Sequence, residues 1–483
     1  MFSRFSAPRA TTGSRFAPVS GEAAAPEVKA PGVKAPSTNP ESPAPANDAA
    51  KVYTDLKVRL HLRLLEVMNL SMIDKMEPEQ FRREVGKLVQ ELLDGERNAL
   101  NAAERSSIVN DVLDELLGLG PMEPLLKDDT ISDILINTHA QVYVERRGRL
   151  EPISVRFQDE RHLLRILNKI VAKVGRRIDE GSPLVDARLP DGSRVNAVIP
   201  PIAVDGALVS IRKFSKRPYT MERLIDTGAL TQEMADLLAA IVRGRLNILI
   251  SGGTGSGKTT MLNALSRFID HAERIVTIED AAELQLQQPH VARMETRPPS
   301  VEGAGEIAQR QLLKNALRMR PDRIIVGECR GGEAFDMLQA MNTGHEGSMT
   351  TIHANTCRDA VGRLEQMIGM AGFDLPLKTI RAQIASAVDI IIQLERMSDG
   401  RRRLVSIHEI TGMESDIVTM QEIFCFRRER TDAEGTIHGQ YWATGVRPRF
   451  FEELRTRGLE INPGIFSPDR PLGTRGEAQR AEP

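Results

Sequence analysis

The stretch NILISGGTGSGKTT contains the spacing Gly252-x-x-x-x-Gly257-Lys258-Thr259. Glycines let a chain turn several backbone N–H groups into one concavity, and such a concavity takes an anion. A helix that opens directly behind it adds the positive end of its dipole. Gly253, Thr254, Gly255, Ser256, Gly257, Lys258, Thr259 and Thr260 therefore read as a phosphate loop. Lys258 is expected to reach the β- and γ-phosphates, and Thr259 to offer its hydroxyl to Mg²⁺. The apolar run before the loop and the helical run TTMLNALSRFI after it are the context the motif requires. The nucleotide follows from a missing reader. A guanine site needs Asn-Lys-x-Asp, but the Asn-Lys pair Asn168-Lys169 runs on into Ile170 and Val171. ATP is the expected ligand.

Phosphoryl transfer also needs acids that hold metal and orient an attacking water. Such groups belong at the ends of parallel strands beside the loop strand. RIVTIEDAAEL ends a strand at Glu279 and Asp280, with Glu283 just beyond; RIIVGECRGGE ends another at Glu328. An Asp would normally close that second strand, and Gly327 stands there instead. Glu328 is then the acid expected on the metal side, acting partly through water. Glu279 could equally brace the loop. In GHEGSMTTIHANT, His345 and His353 flank a short strand. No cysteine or close carboxylate set gives them zinc spacing. Either they relay the state of the γ-phosphate to the sheet, or they are ordinary structural histidines.

The elements that must position these groups change along the chain. Residues 1–50 hold 8 of the 27 prolines and read as a disordered tail. Residues 51–120 carry apolar positions at helical spacing, with Asn101 as a cap and Gly118 or Gly120 as a stop. Residues 121–217 show short strands around one helix, HLLRILNKIVAKVG, a small α+β domain. Residues 218–430 alternate strand and helix, the pattern of a mostly parallel sheet covered on both faces. Residues 431–483 are polar and rich in Pro and Gly, and read as an extension. On the helix EIAQRQLLKNALRMR, Arg310, Lys314 and Arg318 fall at i, i+4 and i+8, one candidate face for a neighbouring subunit.

Composition narrows the function. Lys+Arg is 64 against 66 Asp+Glu, a net charge of -2, and aromatics are 4%. Bulk capture of nucleic acid by charge, or by a stacking platform, is not favoured. Three cysteines with no close pair argue against a disulfide framework and fit a reducing cytoplasm. No apolar run reaches the roughly 18–20 residues of a membrane span, and the N-terminus has no signal-type apolar core.

Together GGTGSGKTT, RIVTIEDAAELQL, LRMRPDRIIVGECRGGEA and TGHEGSMTTIHANT resemble, in order, the Walker A, Asp box, atypical Walker B and His box of the secretion ATPases. That superfamily powers type II secretion, type IV secretion and type IV pili. The long helical N-terminal segment looks like the tight-adherence (Tad/Flp) pilus branch, whose motor is called CpaF. The four-cysteine zinc module usual in type II secretion ATPases is missing, which favours the Tad or type IV secretion side. The resemblance implies an α/β protein: a RecA-like P-loop ATPase domain preceded by a PAS-like α+β domain, assembled as a homo-hexamer. The motor would be cytoplasmic and bound peripherally to the inner membrane through pilus or secretion platform proteins. Lys258 would be the Walker lysine, Glu283 the Asp-box glutamate that polarises water, and Glu328 the Walker B glutamate near Mg²⁺. His345 and His353 would be the His-box pair. Arg212, in SIRKF, falls where the upstream domain approaches phosphate in relatives.

Overall fold

The fold is that of a computed structural model, which describes residues 78–95, 100–146, 148–214, 219–299 and 305–473 and a few positions between 56 and 67. The expected tail, residues 1–50, lies outside the described residues.

After the helical positions between 56 and 67 come two helices, α1 (Pro78–Asp94) and α2 (Ala102–Leu117), which pack as a pair. Asn101 caps α2 as its position suggested. Its side chain accepts from the Glu104 N–H at 2.9 Å, and the Glu104 carboxylate accepts from the Asn101 N–H at 2.9 Å. A short helix α3 (Glu123–Lys127) leads into the upstream domain.

That domain is one six-stranded sheet in the order β3-β2-β1-β6-β5-β4. Its strands are β1 (Ile131–Thr138), β2 (Gln141–Arg146), β3 (Arg149–Ile153), β4 (Leu184–Arg188), β5 (Arg194–Val198) and β6 (Leu208–Arg212). All neighbours run antiparallel. Residues alternate buried and exposed along β5 and β6, so one face is wet. The other face joins helix α4 (Glu160–Lys173), whose Leu163, Leu167 and Ile170 are buried with Ile134, Val195 and Ile211.

After α5 (Met221–Asp226) and α6 (Gln232–Arg243) the second sheet begins with β7 (Ile248–Gly252), which leads through the glycine loop into α7 (Lys258–Ser266). The strand β8 (Ile275–Glu279) and then β9 (Val291–Glu295) follow, with α8 (Gln309–Ala316) and β10 (Arg323–Cys329). The chain continues through α9 (Glu333–Asn342), β11 (Met349–Ile352), α10 (Cys357–Met370), α11 (Leu377–Ala387) and β12 (Ile390–Arg396). Three long antiparallel strands close the series, β13 (Arg402–Glu414), β14 (Ile417–Thr431) and β15 (Ile437–Ala443), before α12 (Phe450–Thr456) and β16 (Pro471–Leu472). The strand order is β16-β15-β14-β13-β12-β7-β11-β10-β8-β9. From β12 to β9 every pair is parallel. The loop strand β7 is central and buried along its whole length, as a parallel strand covered on both faces must be. One face packs on α6, α7 and the C-terminal elements, the other on α8 to α11.

Two expectations need correction. The sheet does not stop at residue 430: β15, α12, the helical turn Pro463–Phe466 and β16 bury Tyr441, Phe450, Phe451, Leu454, Phe466 and Leu472 in the core that holds β7. Nor do the three basic residues share a helical face, because α8 ends at Ala316, before Arg318. Arg310 is satisfied within the chain, donating to Asp336 Oδ2 at 2.7 Å and to the Ala371 carbonyl at 3.0 Å. Among the described residues no helix is long and apolar enough to cross a membrane.

Candidate functional site

The phosphate loop joins β7 to α7 as its context demanded. Gly257, which caps α7, has φ +99, a left-handed value that disfavours any residue with a Cβ. Gly252 is needed for closeness rather than conformation. A Cβ there would stand 2.4 Å from Ser256 Oγ and 2.6 Å from the Leu394 carbonyl.

Lys258 is buried, and among the described residues its ammonium makes no ion pair with a carboxylate. It donates to the carbonyls of Gly252 and Gly253 at 3.0 Å each and lies 3.2 Å from His353 Nε2. Burial, above all, lowers its pKa. A buried cation held only by neutral groups suits a polyanion arriving from solvent. Thr259 stands in the first turn of α7.

His353 follows β11 at the loop end of the sheet, and its Nε2 also lies 2.7 Å from Glu328 Oε1. One nitrogen therefore stands between the loop lysine and the strand-end carboxylate. It can accept from Lys258, while Glu328 Oε1 lies close to it without meeting hydrogen-bond geometry. Burial and then the Lys258 charge lower the His353 pKa, which favours the neutral ring. The other oxygen of Glu328 accepts from Arg330 Nε at 2.7 Å, and Arg330 Nη1 lies 3.2 Å from Asp280 Oδ2. Burial raises the Asp280 pKa.

Glu279 is almost fully buried, and its Oε2 accepts the N–H groups of Glu283 and Leu284 at 2.7 and 2.8 Å. Of the two roles open to it, bracing is the one its contacts serve. It pins the loop that carries Glu283 beside the Arg330 cluster, and Glu283 contributes to the field on Arg330. Burial raises the Glu279 pKa, against those two hydrogen bonds. The same side chain accounts for Gly327. A Cβ on residue 327 would lie 3.1 Å from Glu279 Cγ, so the space an Asp would enter is already occupied.

Arg212, at the end of β6, is exposed, pairs with Asp133 at 3.3 Å, and contributes to the positive field on Lys258. His345 is not brought to this group. It precedes β11, while His353 follows it, and β11 runs parallel to β7. The length of that strand, roughly 13 Å at ~3.3 Å per residue, separates the two histidines. The His345 carbonyl accepts from Ser348 Oγ at 2.6 Å, a turn contact at the opposite end of the parallel strands.

Sequence reasoning missed Arg330, and also Arg396 and Arg402, which flank the loop from the turn between β12 and β13. Arg402 Nε donates to the Gly255 carbonyl at 2.8 Å. Arg330 carried a signal, its place directly behind Glu328-Cys329. The other two carried none, being some 140 residues away in the chain.

A buried loop lysine, with one histidine nitrogen between it and a strand-end glutamate, stands at the loop end of the parallel strands. The family model for the Type II/IV secretion system protein matches residues 115–437. The chain belongs to this family. It is an ATP-hydrolysing enzyme. Over 299 residues it is 40% identical to a putative conjugal transfer protein of Mycobacterium tuberculosis, covering 61% of this chain and 84% of that one. It is 32% identical over 329 residues to the type IV secretion system protein VirB11 of Bartonella quintana, covering 61% and 92%. Among solved structures it is similar to the VirB11 ATPase of the Brucella suis type IV secretion system, at 31% identity and a TM-score of 0.33, covering 59% of this chain and 91% of that one.

Proposed function

We propose that this ATPase is a homo-hexameric motor that turns ATP hydrolysis into mechanical work for Tad/Flp-type pilus assembly or for type II/IV secretion. It acts at the cytoplasmic side of the inner membrane, held there by platform proteins, with no nucleic acid as partner. The antiparallel upstream domain serves as its PAS-like domain, and the helical segment before it marks the Tad branch. The observation that carries the reading is the Lys258–His353–Glu328 bridge at the loop end of the parallel strands.

In the chemistry we infer, the loop N–H groups and Lys258 bind the phosphates. Glu283 polarises the attacking water from the loop that Glu279 pins. His353 sits where loss of the γ-phosphate changes what Lys258 needs, and passes that change to Glu328. When bound, Mg²⁺ would supply positive charge against the charge that develops on the phosphates. Thr259 and Glu328 are the residues to hold it. One hydroxyl and one carboxylate suit this ion, which usually keeps water and substrate phosphates for the rest of its shell.

A subunit rarely encloses a γ-phosphate without a cation supplied to it, commonly across an interface. Exposed Arg212 is the candidate here. ATP analogue should therefore drive the chain into a closed ring, seen by light scattering, and specific activity should rise with protein concentration. A monomer whose specific activity is the same over a dilution series would contradict the ring.

A further inference from the structure

The turn between β12 and β13 is built to be rigid. Arg403 and Asp399 form a buried pair at 3.0 Å, and Asp399 also accepts the Arg401 N–H at 2.9 Å. The Met397 N–H donates to the Arg401 carbonyl at 2.9 Å, and the Ile437 N–H of β15 reaches Asp399 Oδ2 at 3.2 Å. This frame presents two arginines to the crown of the phosphate loop. Arg402 Nε donates to the Gly255 carbonyl at 2.8 Å, and its Cδ lies 3.5 Å from where a Cβ on Gly257 would be. Arg396 Nη1 lies 3.4 Å from the corresponding point on Gly255. Its Nη2 donates to the Gly148 carbonyl in the turn between β2 and β3, with Glu145 Oε1 3.9 Å away.

The Arg402 bond decides which way one peptide faces. In a trans peptide the C=O and the next N–H point in opposite directions. With the Gly255 carbonyl turned out to Arg402, the Ser256 N–H is turned into the loop. There, among the described residues, it makes only a long contact, 3.4 Å, to the Gly253 carbonyl, at the limit of a useful hydrogen bond. It is a donor held ready for phosphate.

We propose that Arg402 is a positioning residue for the nucleotide. Its Nε–H locks the Gly255–Ser256 peptide with the donor inward, and Arg396 ties the same turn to the upstream domain, so that domain's position reaches the loop. This rests on the nucleotide reading of the site. Arg402 itself is assigned no contact with phosphate. It follows that ATP and ADP, which share the phosphates cradled by the loop, depend on it alike.

The test uses the full chain and three variants, Arg402→Ala, Arg402→Gln and Lys258→Ala. ATP and ADP affinities are measured by calorimetry, alongside KM and kcat. The glutamine Nε2 occupies the place of the arginine Nε along the side chain, so Arg402→Gln keeps an N–H donor there and discards the charge. Arg402→Ala should weaken ATP and ADP together by about tenfold and raise KM by a similar factor, with kcat at saturation within about threefold of wild type. Arg402→Gln should recover most of that affinity. Arg402→Gln as weak as Arg402→Ala would show that charge, not the directed N–H, is what matters, and would overturn the proposal. So would wild-type affinities in Arg402→Ala, or a loss confined to kcat. If wild type binds neither nucleotide, and so matches Lys258→Ala, the nucleotide site itself is wrong and the proposal falls with it.

Discussion

His353 shows how much one side chain can carry. Its Nε2 faces a cation on one side and a carboxylate on the other. Burial and the Lys258 charge hold its pKa below the ordinary imidazole value, so the ring stays neutral at pH 7. Protonation, which comes only below about pH 6.5, would set a second cation against Lys258 and remove the acceptor. ATP turnover should fall on that acid side and be flat above it. In His353→Gln the turnover should drop about tenfold and lose that acid limb. A pH–rate profile from pH 5 to 8 checks this, and an unchanged limb in the variant would assign the titration elsewhere. The loop glycines, Lys258 and the strand-end acids were legible in the sequence because their spacing is local. Pairing His345 with His353 failed because strand β11 lies between them and carries them to opposite ends of the parallel strands.

At the scale of elements, the helices and parallel strands of residues 218–430 could be read from alternation, since buried parallel strands are nearly all apolar. The C-terminal strands could not. In β15 the inward residues Ile437, Tyr441 and Ala443 are interleaved with His438, Gln440 and Trp442, and Gly439 interrupts the alternation. A polar segment therefore hid a core strand. Helix α12 completes that core. Leu454 is fully buried, and its Cδ2 lies 2.0 Å from the point where Gly244 would carry a Cβ. Leu454→Ala opens a cavity against a glycine that cannot fill it, and should cost about 2–4 kcal/mol. Thermal or denaturant unfolding measures this, and a cost under about 1 kcal/mol would mean that α12 is peripheral to the ATPase core. Because that core lies under β7, nucleotide affinity should fall before the chain unfolds.

For the whole molecule, the contact between the turn at Gly148 and Arg396 makes the upstream domain a neighbour of the phosphate loop. Neither partner could be found from sequence, because tertiary topology alone brings residues 148, 255, 396 and 402 together. The site is thus assembled from both sheets, and binding and turnover should be separable within it. In the proposed mechanism Lys258 serves binding, since among the described residues its buried ammonium makes no ion pair with a carboxylate. Glu283, on a loop pinned from beneath by Glu279, is the residue proposed to serve turnover. The most direct test measures ATP binding and phosphate release in parallel for wild type, Lys258→Ala and Glu283→Gln. Lys258→Ala should lose both, while Glu283→Gln should bind ATP within a few-fold of wild type and release phosphate at least ~10²-fold more slowly. Glu283→Gln hydrolysing ATP at the wild-type rate, or Lys258→Ala binding ATP normally, would contradict the account.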